Sequence, residues 1–184
     1  MLGRAGKGSD GTGPDGTCRH GGAGGGSGAY TEILIANPSL LYSYSVGVAG
    51  AGGLSTPATG TNGGDTTFGT YTAGGGVGGT FMAAGTTTAI VLGGAGGAVS
   101  GSPDIPSSGQ PGGDGVRSVT TLTIQAGAGG STMFGGGGLP PSADGNGNAG
   151  TGLGAGGSGG FAPATTNRAG GAGTVGWIEV LEFS

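Results

Sequence analysis

Apolar residues in this chain alternate over short stretches and then give way to runs of glycine. Residues 29–36 (AYTEILIA) follow the strand pattern, with Thr31, Ile33 and Ile35 on one face and Tyr30, Glu32 and Leu34 on the other. Asn37-Pro38 ends that stretch, because proline brings no N–H to a ladder. Residues 41–49 (LYSYSVGVA) place Tyr42, Tyr44, Val46 and Val48 on one face and small residues on the other. A short strand is predicted over 66–72, a largely β-branched one over 86–92 and the longest over 116–125. Residues 175–183 close the chain, with Trp177, Leu181 and Phe183 facing one way and Ile178 and Val180 the other. No stretch carries helical periodicity. The proline-bearing segments 54–61 and 102–111 read as exposed loops.

The glycine runs change this picture. Glycine makes up 55 of 184 residues, far above the usual level of about 7 %. Collagen is excluded, since it needs glycine at every third position and much more proline, whereas here the glycines cluster in blocks. A flexible linker is opposed by the β-patterned segments between the blocks. Glycine can adopt an extended left-handed helix of three residues per turn that makes no hydrogen bonds within itself. Its N–H and C=O groups point outward in three directions and must find partners when buried. Neighbouring helices of the same kind supply them at a distance that any Cβ would forbid. Residues 145–160 are long enough for two such passes, and a bend is expected around 149–151 or 157–159. Valine at Gly136 or Gly156 is expected to disrupt folding more than valine at Gly11 or Gly60.

At 184 residues one domain spanning 1–184 is expected, and within it a supersecondary unit is used twice. A strand ending in AGAGG occurs at 46–53 and at 122–130. A hydroxyl-rich phenylalanine turn follows each, TTFG at 66–69 and STMFG at 131–135, and then a glycine block, 74–79 or 135–138.

Charge and chemistry mostly exclude. Charged residues are 8 % of the chain and the net charge of −4 is thinly spread, so a basic nucleic-acid face is not expected. No apolar run approaches the roughly 20 residues of a membrane-spanning helix. The single cysteine, Cys18, can form no internal disulfide, and Cys18 with His20 is too few ligands for zinc. The segment Arg4-Ala5-Gly6-Lys7-Gly8 lacks the Ser or Thr that a phosphate loop places after its lysine. Asp65, Asp104, Asp114 and Asp144 each adjoin glycine, proline or a small polar residue in turn-like surroundings. Glu179 and Glu182 fall on opposite faces of the last predicted strand and make a poor acid/base pair. The expectation is therefore no enzyme, no cofactor and no metal.

The succession GGAGGGSGAYTEILIANPSLLYSYSVGVAGAGG, then GGDTTFGTYTAGGG, then GGAGTVGWIEVLEFS resembles the glycine-rich domain of bacteriophage tail-fibre and receptor-binding proteins. The matching positions are Pro38, Tyr42, Tyr44, Val46, Gly47, Gly52, Gly53, Thr67, Phe68, Gly69 and the segment 175–183. More loosely, the chain is similar to the glycine-rich extracellular domain of anaplastic lymphoma kinase. The resemblance implies an all-β fold plus polyglycine II: a jelly-roll-like antiparallel sheet or sandwich packed against a bundle of polyglycine II helices, with essentially no α-helix. It also implies a distal fibre domain, an adhesin attaching the virion to a host-surface polysaccharide or outer-membrane protein, extracellular, with its fibre chains as a homotrimer. Family members carry an upstream strand pair of which Met1-Leu2-Gly3 would be only the tail, so the chain is expected to be the C-terminal part of a longer fibre protein. Receptor-binding loops are expected at Leu54, Pro57, Phe81, Met82, Ile105, Pro106, Leu139, Pro140 and Phe161. The alternatives are that these residues cap the bundle or fill a subunit interface, in a purely structural virion component such as a head fibre, decoration protein or spacer. A third class, an ice-binding protein, would want regular rows of Thr or Ala, which are not seen.

Overall fold

Residues 19–32 set the pattern for the whole chain. β1 (Arg19–Gly21) leads directly into a glycine-rich run, 22–29, which leads directly into β2 (Tyr30–Glu32). The structure, a computed structural model, describes residues 19–37, 41–55, 58–83, 87–118, 125–162 and 167–182.

Successive backbone N–H groups of the 22–29 run donate to different neighbours. Gly22, Gly25 and Gly28 donate to Gly160, Gly157 and Gly154 at 2.9, 3.0 and 2.9 Å. Ala23, Gly26 and Ala29 donate to Thr80, Val77 and Gly74 at 3.3, 3.0 and 2.9 Å. Gly24 and Ser27 donate to Gly113 and Gln110, both at 2.9 Å. The partner recurs every third residue, and the descending numbers make all three neighbours antiparallel. Two more neighbours donate inward and run parallel: Gly94 and Gly97 bond the carbonyls of Gly24 and Ser27, and Gly127 and Gly130 those of Gly22 and Gly25. A run with five bonded neighbours has no solvent face, and every residue from His20 to Ala29 is buried.

The same recurrence joins the outer runs. Gly60 and Gly63 donate to Gly79 and Gly76, Gly74 and Val77 to Ala98 and Ala95, and Gly109 and Gly112 to Gly97 and Gly94. Gly156 and Gly159 donate to Gly130 and Gly127, and Gly147 and Gly150 to Ala169 and Ala172. Burial follows this period. Gly47, Gly50 and Gly53 are buried while Val48, Ala49 and Ala51 are exposed, and Gly94 and Gly97 are buried while Ala95 and Ala98 are exposed.

Runs consecutive in the chain alternate in direction, so the reversals fall at two ends. The remaining strands are β3 (Tyr44–Ser45), β4 (Thr66–Phe68), β5 (Tyr71–Ala73), β6 (Ala89–Val91), β7 (Val99–Ser100), β8 (Ile105–Ser107), β9 (Gly115–Ser118) and β10 (Phe161–Ala162). All pairings are antiparallel. The sheet β10-β1-β9-β6 occupies the first end, where β1 enters the central run. The sheets β2-β8 and β3-β4-β5-β7 occupy the second end. Strands therefore continue the runs: β8 passes through 109–114 into β9, and β6 through 93–98 into β7. The described residues are all-β and contain no helix.

Close approach, more than unusual dihedrals, accounts for the glycines. Among described glycines a positive φ occurs only at Gly69, Gly101, Gly152 and Gly154. Elsewhere a side chain would strike backbone: a Cβ on Gly24 would lie 1.8 Å from the Ala128 carbonyl oxygen, and one on Gly159 1.9 Å from that of Gly22. At many positions side-chain oxygens accept from the runs. Asp65 Oδ1 accepts from Gly75 N–H at 2.9 Å, Asn62 Oδ1 from Gly78 at 3.0 Å and Asp114 Oδ1 from Gly93 at 2.9 Å. Asp65 and Asp114 are thus acceptors across neighbouring segments, beyond local turn formation. Ser27, fully buried, accepts from the Gln110 N–H at 2.7 Å. Ser27→Ala should cost about 1–2 kcal/mol by leaving that donor short of a partner, read as a lowered denaturation midpoint at unchanged m.

Several predicted elements are shortened or moved. Strand structure in 29–36 is confined to β2, in 41–49 to β3 and in 87–92 to β6, residue 86 lying outside the described residues, because pairing ends where the chain takes up bonding to several neighbours. The 66–72 stretch is two strands, β4 and β5, reversing at Gly69 with φ 58°. The 116–125 strand is seen as β9, and 119–124 lie outside the described residues. Over 175–182 no strand forms; Gly176 N–H instead bonds the Gly47 carbonyl at 3.4 Å. Segment 102–111 contains β8 and the start of the 109–114 run, so it is only partly loop. Residues 145–160 do reverse, but at 152–154, where Gly152 (φ 95°) and Gly154 (φ 70°) take the left-handed conformation the turn needs. The two halves then lie side by side, with Ser158 N–H donating to Asn148 carbonyl at 3.0 Å.

Candidate binding surfaces at the two ends

Loops at the first end are held by side chains that bond backbone. Arg117 on β9 is 8 % exposed, and its Nε and Nη1 donate to the carbonyls of Thr87 and Ala83, both at 2.6 Å. Its Nη2 reaches Thr87 Oγ1 at 3.4 Å. Arg168 grips Asp144 with both oxygens, Nε to Oδ1 at 2.6 Å and Nη2 to Oδ2 at 2.5 Å. This hydrogen-bonded pairing holds the Asp144 carboxyl below its ordinary range. Both partners are about a third exposed, so the pair adds little to stability, and what it adds is lost as pH falls through the carboxylate range. Asn148 Nδ2 donates to the Leu139 carbonyl at 2.7 Å and fixes the start of the 139–144 turn.

The expected loop residues divide between the ends. Leu54 and Leu139 at the first end are 67 % and 73 % exposed, and Phe81 and Pro140 are half-buried. Met82 and Phe161 are buried. Phe161 is held in β10 opposite Gly21 and bonds Gly145 in both directions at 3.0 Å. Ile105 and Pro106 are exposed on β8 at the second end. Pro57 lies outside the described residues, as do Cys18 and the Arg4–Lys7 motif.

The second end carries an aromatic row and a polar cleft. Tyr30 and Phe134 have ring centroids 5.4 Å apart, and Phe134 meets Trp177 edge-on at 5.7 Å. Tyr42, just before β3, stacks on Phe68 of β4 at 4.9 Å at the same end. A cleft of about 350 Å³ opens between 27–30, 107–110 and 131–133, lined by Tyr30, Ser107, Ser108, Gln110, Thr132 and Met133 among others. The Tyr30 hydroxyl donates to Glu32 Oε1. Burial first, then Glu32 and the charge of Glu179, push the Tyr30 phenol up to about 12 from its ordinary 10.0. The neutral phenol is favoured in the folded state. Its contribution is therefore complete below pH 10 and is lost as pH rises towards about 12. Ultraviolet difference titration should show one tyrosine ionising late, and Tyr30→Phe should remove that step.

Among the described residues no group of three or more His, Cys, Asp or Glu is placed to hold a metal, and no helix is long and apolar enough to cross a membrane. No family model matches the chain, and no curated protein aligns significantly with it. Two features escaped the sequence reading. Arg117 sits in a stretch read only as strand. The cleft joins 107–110, read in sequence only as loop, to the hydroxyl-rich turn at 131–133, read only as part of the internal repeat.

Proposed function

We propose that the chain is a distal domain of a phage tail fibre, an adhesin that attaches the virion to the host surface through loops at the ends of a polyglycine II bundle. The observation carrying this is the division of labour in the fold. The runs are bonded backbone to backbone with a three-residue recurrence, as polyglycine II requires, and have little room for side chains. At the reversals, Leu54, Leu139 and Ile105 stand exposed, clear of a stiff frame. Rigid loops on a scaffold suit recognition. Strands of two to four residues capping the runs favour a capped bundle over a jelly-roll-like sandwich beside it. Tyr44, Val46 and Val48, with Val175 alongside through the Gly176–Gly47 bond, form an exposed side stripe that suits lateral contact with other fibre chains in a homotrimer. A binding role rather than catalysis follows, with a polysaccharide or an outer-membrane protein as receptor. The test is binding of the fluorescently labelled chain to a panel of bacterial cells. Saturable binding to some strains, reduced at least about tenfold by replacing the exposed loop residues in 54–61, 102–111 and 139–144, is expected. Undiminished binding by all three loop variants would sink the reading.

A further inference from the structure

We infer that the cleft at the second end is a binding site for a neutral saccharide. This deepens the attachment reading, on which its biological meaning rests.

Polar side chains dominate the lining, and they divide into two sets. Ser27 Oγ accepts from Gln110 N–H at 2.7 Å, and Ser131 Oγ accepts from Gly137 N–H at 3.0 Å. Thr132 Oγ1 donates to the Leu153 carbonyl at 2.8 Å and accepts from Phe134 N–H at 3.2 Å. These groups are committed to holding the walls. By contrast, the side chains of Ser107, Ser108 and Gln110 bond nothing among the described residues, although they line the same space. Two hydroxyls and a primary amide present donors and acceptors together, the mixture that sugar hydroxyls need.

Charge selects against an anionic ligand. The lining holds no Lys, Arg or His. Beside it, Glu32 accepts the Tyr30 hydroxyl and Glu179 adds negative charge near the same ring. A phosphate or acidic sugar would meet no counter-charge and two carboxylates. A flat apolar ligand would leave the free amide and hydroxyls short of partners.

The aromatic row supplies the remaining element. Tyr30 lines the cleft, and Phe134, 39 % exposed, lies against it. The Tyr30 ring, backed by Phe134, offers an apolar surface to the C–H face of a pyranose while Ser107, Ser108 and Gln110 take its hydroxyls. The volume of about 350 Å³ falls at the lower end of small-molecule pockets, about 300–1,000 Å³. The walls are also pre-organised, since Ser27 bonds Gln110 through both backbone and side chain.

Heteronuclear NMR titration of the whole chain with maltose, lactose, N,N′-diacetylchitobiose and, as an acidic comparison, sialyllactose tests this. At least one neutral sugar should shift the amides of Tyr30, Ser107, Ser108, Gln110 and Thr132 saturably. Gln110→Ala and Ser108→Ala, which remove exposed and uncommitted side chains, should each weaken that binding about tenfold while leaving the spectrum folded. Ile90→Ser, at the far end, should leave it unchanged. No response to any neutral sugar, a response to sialyllactose alone, or affinity unchanged in both cleft variants would overturn the inference. Cell attachment that persists without sugar binding overturns the cleft and leaves the adhesin reading standing. Sugar binding without attachment to any cell does the reverse.

Discussion

A valine at Gly156 should destabilise the fold severely, while the same change at Gly136 should be nearly silent. A Cβ on Gly156 would sit 2.2 Å from the Gly25 carbonyl oxygen and 2.9 Å from Gly130 nitrogen. Both are backbone atoms of bonded neighbours, so neither can rotate aside. Relief would require separating the runs, which breaks the Gly156–Gly130 bond of 2.8 Å and its lattice companions. The cost should reach or exceed about 3 kcal/mol, the upper end of ordinary overpacking. Gly136 is exposed, and its nearest atom to an added Cβ is Thr151 Oγ1 at 3.6 Å. Sequence reasoning grouped these two glycines together. Of the two glycines expected to be tolerant, Gly60 is buried and donates to Gly79 at 3.1 Å, and Gly11 lies outside the described residues. Thermal melts of the two variants against the parent chain check the contrast. Equal loss at both sites would mean that glycine there serves backbone conformation rather than close approach.

The second large effect is expected at Arg117. Its guanidinium is almost fully buried and is bonded to Thr87 and Ala83. Arg117→Ala removes those bonds and leaves two carbonyls without their donors. Hydrogen bonds involving a charged group contribute about 1.5–3 kcal/mol, so a loss of about 2–4 kcal/mol is expected for the set. Arg117→Lys should recover only part, since an ammonium cannot reproduce the planar fork. Amide exchange near Ala83 and Thr87 should quicken in the alanine variant more than at Gly25 or Gly26. Uniform acceleration across the chain would instead make Arg117 a general core residue with no particular hold on that loop.

What the sequence disclosed, and what it hid, follow from the same physics. Alternation located β2 and β3, because strand residues place side chains on two faces, and β-branched composition located β6. It overran their ends because an alternating pattern does not show where a partner stops. The three-residue period was hidden because it is a period of burial. In 47–53 the buried positions are Gly47, Gly50 and Gly53, but Gly52 intervenes, so glycine identity alone shows no such spacing. The reversal in 145–160 was legible from length, and its place was not: Gly152 and Gly154 are indistinguishable in sequence from the other glycines of the block. The loop residues suffered from the converse problem. Met82 and Phe161 look like exposed residues flanking glycine, yet a bundle that can hold few side chains within its runs draws them inward at its end. The cleft draws on segments 27–30, 107–110 and 131–133, which only the alternating direction of the runs brings to one end.

The pattern of acceptors along the central run is the most direct test of the whole account. Scalar couplings across hydrogen bonds identify, for each amide, the carbonyl that accepts it. From Gly22 to Ala29 the account predicts the acceptors Gly160, Thr80, Gly113, Gly157, Val77, Gln110, Gly154 and Gly74, a cycle of three neighbours. Acceptors that alternate between two neighbours, as in a sheet, would contradict it.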